Sequence, residues 1–535
     1  MLSCTVLSSL QKVFPDEAPA NEGFSGFSVL QGEYGTFQIA LHSDAPMHLE
    51  IRTDSALPIE VFRVCCIPAK KICNNGDDYY LRKTSGLYPD LLRPCSSVDV
   101  DQNYQSLWFE IAVGDTPAGK YPVRVAFLQD GKEEAACTAE VEVIGAKLPE
   151  QTLICTHWFH TDCLHTWYDV PVFSEEYWRI TENFARAAVK HGINFLLTPL
   201  FTPPLDTAIG KERPTVQLVD VTKNGDTYSF GFEKLHRWFE MCNRCGVKYF
   251  EMSHLFTQWG AMHAPKIMAT VDGKYKQLFG WKTWAASQKY TEFLRAFAAA
   301  LRPFLESEGV KDRCRFHVSD EPNISRIREY GKRSALIAEL FPGYPVTDAM
   351  SDLKFYEKGL IKTPIPCVNH AADFYGKVPQ LWTYYCCGPD SGNYTNRFFG
   401  MPLQRTRVLG YQLYKYEVKG FLQWGLNFWY SQLSDHPINP FETSDSDGAF
   451  PAGDAFVLYP GEDGDALISI RFKAFREALQ DQRALDLLES LIGREKTVGL
   501  LESDGPLTFN QYPQSAAWHL AKREQINRAI QNALQ

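Results

Sequence analysis

The 535-residue chain has no apolar run long enough to cross a bilayer, and its N-terminus, MLSCTVLSSLQKVFPDE, has no basic segment ahead of its short apolar stretch. The first absence argues against a membrane-spanning protein and the second against a secretory leader. A cytoplasmic protein with no membrane partner is therefore expected, or a secreted one if a leader has been removed. Positive charge is also short. Lys and Arg number 54 against 64 Asp and Glu, a formal net charge of -10, and no arginine-rich arm or basic stripe interrupts the mixture. Nucleic acid is thereby excluded as an expected partner. Glycine-rich phosphate cradles and lysine clamps are missing, which speaks against phosphorylated ligands, and no cofactor is called for. The 14 cysteines form no framework. They occur as Cys65-Cys66 and Cys386-Cys387 or singly in apolar strands (Cys155, Cys314, Cys367), and Cys242-x-x-Cys245 stands alone in a helical stretch, so their reading is structural. There is no internal repeat and no low-complexity segment.

Aromatic residues, by contrast, are plentiful at 13%: 12 Trp, 25 Tyr and 35 Phe. Flat apolar rings stack on the C–H faces of sugars, although a large α/β core also absorbs many of them. A chain of this length is expected to divide into two or three domains. Residues 1–147 alternate short β-like runs with turns such as Gln129-Asp130-Gly131-Lys132, the pattern of a β-sandwich. The segment from Lys70 to Pro94 reads as a long loop that extends toward the neighbouring domain.

From 148 to about 500 the pattern becomes strand, helix, strand: LICTHWF, SEEYWRITENFARAAVKHG, INFLLTPL, FEKLHRWFEMCNRCG, VKYFEMSHL and onward. About eight strands separated by helices predict an α/β fold, a TIM-like (β/α)8 barrel preceded by the sandwich. Residues 501–535 add a C-terminal helical extension.

Barrel sites lie at the C-terminal ends of the strands. The stretch CRFHVSDEP, Cys314 to Pro322, has the form of a short buried strand that ends in two adjacent carboxylic acids, Asp320 and Glu321, closed by a residue that cannot continue the ladder. Such a pair suits acid/base work, but Asp, Glu, Pro and Asn also suit the N-terminus of the next helix, and these residues alone leave both readings open. The other strand ends supply His157, Trp158, Thr198, His254, Asp348, Asn369, His370, Trp382, Tyr384, Tyr385, Trp424, Asn427 and Trp429. This set is polar and aromatic without a lysine cluster. It fits a polyhydroxylated, uncharged ligand, an oligosaccharide or glycoconjugate. His157, His160, Cys163 and His165 lie close in sequence and offer a zinc-hydrolase reading, but their spacing matches no usual zinc signature and no metal is expected.

HVSDEP, WTYYCCGP and LGYQLYKYEVKGFLQWGLNFWY followed by SIRFKAFREALQD resemble the catalytic domain of glycoside hydrolase family 123, the β-N-acetylgalactosaminidases. The likeness covers roughly 150 to 500. It implies a retaining glycosidase in which the substrate's own 2-acetamido oxygen is the nucleophile, through an oxazolinium intermediate. It further implies that Asp320 orients that group and that Glu321 is the general acid/base. Beside that resemblance, the seventh strand, LWTYYCC, carries no carboxylate of the kind a protein nucleophile would require. Asp348 and Glu251 remain substitutes, which keeps two-carboxylate hydrolysis open, and a sugar-binding barrel without turnover is a further alternative. For the assisted reaction Glu321 must hold a proton and Asp320 must be ionised. Of the remaining candidates, His157, His254, Asp348, Asn369, Trp382, Tyr384, Tyr385, Trp424, Asn427 and Trp429 are expected around the substrate. Galacto or gluco preference, leaving group, exo or endo action and a homo-oligomeric state are left open.

Overall fold

The computed structural model describes residues 2–20 and 23–535. Its N-terminal part is built from two sheets. One is antiparallel and runs in the order Leu2–Ser8, Tyr34–Ser43, Gln105–Ala112, Ile59–Ala69, Gly86–Pro94. The other runs Gly26–Gln31, Lys132–Lys147, Gly119–Gln129, Met47–Asp54, Ser97–Val100. Alternation decides which side chains go inward: Val123, Val125 and Phe127 are buried while Arg124 between them is exposed. They meet Phe37, Ile39 and Phe109 of the facing sheet in one core. Full burial of each such side chain stabilises by about 1.5–3 kcal/mol. The Asp130-Gly131 turn between Gly119–Gln129 and Lys132–Lys147 has φ of 52° and 78°, the left-handed pair that a two-residue hairpin demands.

This part is not closed off from the rest. Ala466–Ser469 pairs with Gly86–Pro94 through Ile468 and Leu92, and Leu458–Pro460 adds a seventh strand. The segment 70–94, expected as a loop, ends in the strand Gly86–Pro94, but its first half does extend into the part that follows residue 148. There the Asn74 and Asn75 amides donate to Asp390, and Arg405 forms a two-pronged pair with Asp77 at 2.8 Å on both sides.

The part after residue 148 contains eight short parallel strands: β1 (Ile154–His157), β2 (Phe195–Thr198), β3 (Tyr249–Met252), β4 (Cys314–Phe316), β5 (Thr347–Ala349), β6 (Thr363–Ile365), β7 (Trp382–Tyr384) and β8 (Gly420–Gln423). Nearly every residue in them is buried, as in parallel strands covered on both faces. They do not form one continuous sheet. Parallel pairing gives β2-β3-β4, β5-β6 and β1-β8-β7, and single parallel bridges, Phe316 to Val346 and Cys367 to Tyr384, join the groups. Between β1 and β2 the link is made by Asn194, whose side-chain oxygen accepts the Cys155 amide at 2.8 Å and whose amide nitrogen donates to the Leu153 carbonyl at 2.9 Å.

The helices between them include α1 (Glu175–Lys190), α2 (Glu233–Cys245), α3 (Gln288–Ser307), α4 (Ile327–Leu340) and α5 (Leu409–Lys415). α6 (Ile470–Ile492) and α7 (Ala516–Leu534) follow. Serines at 174, 287, 469 and 515 cap α1, α3, α6 and α7 by accepting an amide three residues on. Between β2 and α3 the chain also makes a small four-stranded sheet from Asp220–Asn224, Thr227–Gly231, Ile267–Val271 and Lys274–Phe279, which the sequence reading did not anticipate.

α6 is buried on almost every side, and its charged residues are consumed by the elements around it. Arg471 pairs with Asp90 at 2.6 Å with both side chains fully buried, and Glu110 receives Lys473 and Arg476. Asp481 receives Arg407 of the 403–415 region and Arg523 of α7. Breaking such a buried pair by removing one partner costs about 3–5 kcal/mol, so these contacts fix how the N-terminal sheets, the eight-stranded part and the last helix fit together. Among the described residues no helix is long and apolar enough to cross a membrane.

Candidate active site

β4 ends at Phe316, and the next five residues are placed by side chains behind them. The His317 ring lies between two carboxylates, with Nε2 2.7 Å from Glu251 of β3 and Nδ1 3.1 Å from Asp348 of β5. Burial opposes its charge, but these two hydrogen bonds and the charges behind them push its pKa up to about 10, so it is an imidazolium. Asp348 also accepts the Val318 and Ser319 amides and the Tyr330 hydroxyl, and Glu251 accepts Thr156 and the Trp158 indole. A fully satisfied polar cluster of this kind is rigid. His254 stacks on His317 at 4.2 Å, neither of its ring nitrogens has a hydrogen-bond partner, and burial with the neighbouring positive charge keeps it neutral.

On this base the chain turns. The Trp259 amide donates to the Asp320 carbonyl at 2.7 Å and the Glu321 amide to Ala349 at 3.1 Å. Glu321 has φ of 42°, a left-handed conformation that costs a non-glycine residue about 1 kcal/mol or more and that accumulates at functional sites. The reversal brings the two neighbouring side chains to one cleft instead of opposite faces. Helix capping, the other reading of this stretch, falls on Asn323, whose side chain accepts the Ser325 amide at 2.9 Å.

Asp320 and Glu321 line a cavity of about 220 Å³ together with Trp158, Trp259, Tyr384 and Trp424. The Tyr384 hydroxyl donates to Glu321 in a short hydrogen bond. The Trp424 indole donates to Asp454 at 3.0 Å, a carboxyl that burial pushes up to about 7. An ionised Asp320 is not what this surrounding favours. Burial first, then the Glu321 charge and Asp348, raise its carboxyl well above the usual range, with His317 opposing.

The remaining expected residues divide sharply. Tyr384 and Trp424 reach the cavity. His157 does not. It packs against Phe472 and Phe475 beside Arg397, on the helix side of β1, and its neighbour Trp158 takes the place expected of it. His254 and Asp348 belong to the buried cluster below the cavity. Trp382 lies one layer deeper, its ring over Gly420, and Tyr385 points the other way against Phe421. Asn427 is spent on the backbone of His160, and the Trp429 indole on Leu458. Asn369 is exposed in the turn after β6 and does not line the cavity. The sequence cluster His157, His160, Cys163, His165 does not converge: His160 meets Arg213 and the Trp424 carbonyl, and His165 meets Val170. Among the described residues one metal-capable trio exists, His254, His317 and Asp348. Both nitrogens of His317 are already held by carboxylates, so it makes a poor ligand.

One acidic residue of the cavity escaped the sequence reading. Asp206 lies in the loop after β2, with its amide held by Gln258 at 2.6 Å and one carboxylate oxygen by the Leu433 amide at 3.0 Å, and burial pushes it up to about 6. Only its φ of 40° marks it, and that is visible in the structure alone.

The profile of the family described as glycoside hydrolase 123, catalytic domain, matches residues 158–488. The chain belongs to glycoside hydrolase family 123. Among solved structures, a family 123 glycoside hydrolase from Clostridium perfringens, studied for glycolipid glycan hydrolysis, superposes with a TM-score of 0.75 at 14% identity, over 99% of this chain and 97% of that one. At this identity the likeness establishes the fold. A β-galactosidase-like protein of Bacteroides fragilis, at TM-score 0.33 and 10% identity over 88% of this chain and 60% of that one, is too distant to carry an argument. No curated protein matches. The family 123 assignment makes this chain a glycoside hydrolase with a glycan substrate.

Proposed function

We propose that this family 123 hydrolase is a retaining β-N-acetylgalactosaminidase, with Glu321 as general acid/base and Asp320 as partner of the substrate's acetamido group. We read its eight parallel strands as a (β/α)8 barrel over 148–500, behind a β-sandwich over 1–147 and followed by a helical extension over 501–535. The observation that carries the proposal is the division of carboxylates. Asp320 and Glu321 face one cavity, whereas Glu251 and Asp348, the other strand-end candidates for a protein nucleophile, are both bound to His317 below it.

In the first step the acetamido oxygen forms a bond to C1 as the glycosidic C1–O bond breaks, and the Glu321 proton passes to the departing oxygen. The ring that results carries positive charge beside Asp320. That charge favours the carboxylate form of Asp320 against its burial, so stabilisation grows as the reaction proceeds. In the second step Glu321 takes a proton from water, which attacks C1 and reopens the ring with net retention. Trp158 and Trp424 offer apolar faces to the sugar. Action of the Clostridium perfringens relative on glycolipid glycans supports a glycoconjugate or oligosaccharide as substrate.

A second reading is favoured by Asp206, a third carboxylate in the same cavity: double displacement with Asp206 as nucleophile. Hydrolysis of an aryl N-acetyl-β-D-galactosaminide, its gluco epimer and a plain aryl β-galactoside by wild type and Glu321→Gln separates the two. Turnover of acetamido sugars alone, lost in the variant, is expected. Turnover of the plain galactoside would transfer the nucleophile to Asp206, and binding without turnover of any of the three would leave a sugar-binding protein.

A further inference from the structure

Two half-buried cysteines far from each other in sequence meet across the N-terminal sheets. Cys4 lies on Leu2–Ser8, the edge strand of its sheet, which is hydrogen-bonded on one side only, to Tyr34–Ser43. Cys137 lies on Lys132–Lys147, an inner strand of the facing sheet. Alternation turns both inward: Leu2, Cys4 and Val6 pack on the shared core from one sheet, and Ala135 and Cys137 from the other. Their Sγ atoms are 2.7 Å apart, closer than two unbonded sulfurs rest and not far from the disulfide bond length of about 2.05 Å. Among the described residues one other sulfur pair is in hydrogen-bonding contact, Cys386 with Cys387 at 3.9 Å, and these are neighbours in sequence. Cys4 and Cys137 therefore differ in kind from the cysteines that fill apolar strands.

We propose that Cys4 and Cys137 are a disulfide-forming pair that clamps the two N-terminal sheets together, closed by exchange with a small-molecule disulfide such as oxidised glutathione and opened by the corresponding thiol. The exchange has two steps. The Cys4 thiolate attacks one sulfur of the glutathione disulfide, so a mixed disulfide forms on Cys4 and one glutathione departs as thiolate. Cys137, once deprotonated, attacks Cys4 Sγ, and the second glutathione departs. Two protein thiols are oxidised, one glutathione disulfide is reduced to two thiols, and the protons lost by the protein go to the departing thiolates. The order follows from the contact between the sulfurs. Cys137 donates its S–H to Cys4, which pushes the Cys4 thiol down, and the same bond together with burial pushes Cys137 up, so Cys4 is the sulfur that ionises first. Incomplete burial of both side chains leaves the pair open to a small reagent. The cross-link would close a loop between positions 133 apart, nearly the whole N-terminal part, and the entropy removed from the unfolded chain grows with the length of such a loop. It would also tie down a terminal edge strand, the kind of element that frays first. An oxidising compartment favours the closed form and a reducing one the open form.

The test treats the reduced full chain with oxidised glutathione and maps its cysteine peptides by mass spectrometry without reduction. The peptide of Cys4 should be recovered joined to the peptide of Cys137, and dithiothreitol should separate them. In Cys137→Ser the reaction should stop after its first step, with glutathione retained on Cys4. The thermal unfolding midpoint of the oxidised chain should lie about 5 °C or more above that of the reduced chain, a difference that should vanish in Cys137→Ser and in Cys4→Ser. Recovery of Cys4 and Cys137 as free thiols, a disulfide from either to another cysteine, or glutathione left on Cys4 in wild type would each overturn the proposal. A cross-linked chain with a lower midpoint would overturn it too, because the native strands would then have to shift to make the bond. These measurements need no turnover, so they are independent of the reaction assigned to Glu321.

Discussion

His317 is where a single substitution should do the most to the base of the active site. Its imidazolium joins Glu251 and Asp348, both fully buried, at 2.7 and 3.1 Å. In His317→Gln the positive charge is lost while both carboxylates stay, and an uncompensated buried charge costs about 3–5 kcal/mol. The folded-state pKa of about 10 lies above the ordinary 6.5. The stability supplied by this proton is therefore fully present below 6.5 and is lost as the pH rises through about 10. The measurement is a urea transition followed by fluorescence of the 12 tryptophans, wild type against variant, at pH 6 and pH 10. A chain of this size need not unfold in one step, so the transition that reports the catalytic part is the one to compare. The variant should unfold at distinctly lower urea at pH 6, and the two proteins should approach one another at pH 10. Equal midpoints at pH 6, or a gap that persists undiminished at pH 10, would refute the charge assigned to His317.

Tyr384→Phe removes the hydroxyl that donates to Glu321. Because Glu321 becomes a carboxylate as it gives its proton to the departing oxygen, and a hydrogen bond to a charged group is worth about 1.5–3 kcal/mol, kcat on an aryl acetamido sugar should fall roughly 10–100-fold while the fold, read by circular dichroism, is kept. Asp206, with a pKa of about 6, should become a carboxylate as the pH rises through that value. Affinity for free N-acetylgalactosamine should then change between pH 5 and 7 in wild type, and Asp206→Asn should flatten the change in a calorimetric titration. Gly420→Ala would set a methyl group 2.1 Å from the Trp382 ring in the centre of the strand array. Such overpacking costs about 1–3 kcal/mol or more, visible as a lower melting temperature, and Trp382→Leu in the same chain should restore part of it.

Much of the architecture is legible in the amino-acid sequence, because it depends on local signals that survive tertiary context. The helical runs of α1 and α2, the Asp130-Gly131 turn and the buried β-runs are all of this kind. The inserted sheet between 220 and 279 is missed because its strands are short and only Ile267–Val271 is mainly apolar. In the cleft, sequence reading locates the strand ends but not the facing of each residue. His157 and Trp158 are neighbours, and alternation sends one to the helices and one to the cavity, so a one-residue error in where the strand stops exchanges them. Trp382 and Tyr384 share a face, yet two residues along the strand separate a core layer from a cavity wall. Asp206 belongs to a loop, and Glu251 and Asp348 read as possible nucleophiles until His317 is placed between them. Non-local pairing of this kind has no signature at any sequence spacing.

The arrangement explains why a strained carboxylate can be kept at Glu321. A left-handed glutamate persists only where its surroundings leave it no alternative. Here the Glu321 amide is bound to Ala349 and the preceding carbonyl to Trp259, while Val318 and Ser319 are held by Asp348, so the turn is pinned on both sides. Asp348 does this as a buried acceptor whose carboxyl burial raises, with the hydrogen bond and charge of His317 opposing that rise. The same imidazolium draws down the proton affinity of Asp320, against burial and the Glu321 charge. One buried cation thus acts on both members of the pair, on Glu321 through the geometry of its backbone and on Asp320 through the field at its carboxyl. A substitution that removed this charge should therefore weaken the hold of Asp348 on the turn at Glu321 and also shift the ionisation of Asp320 upward, read as a displaced pH profile of kcat/KM.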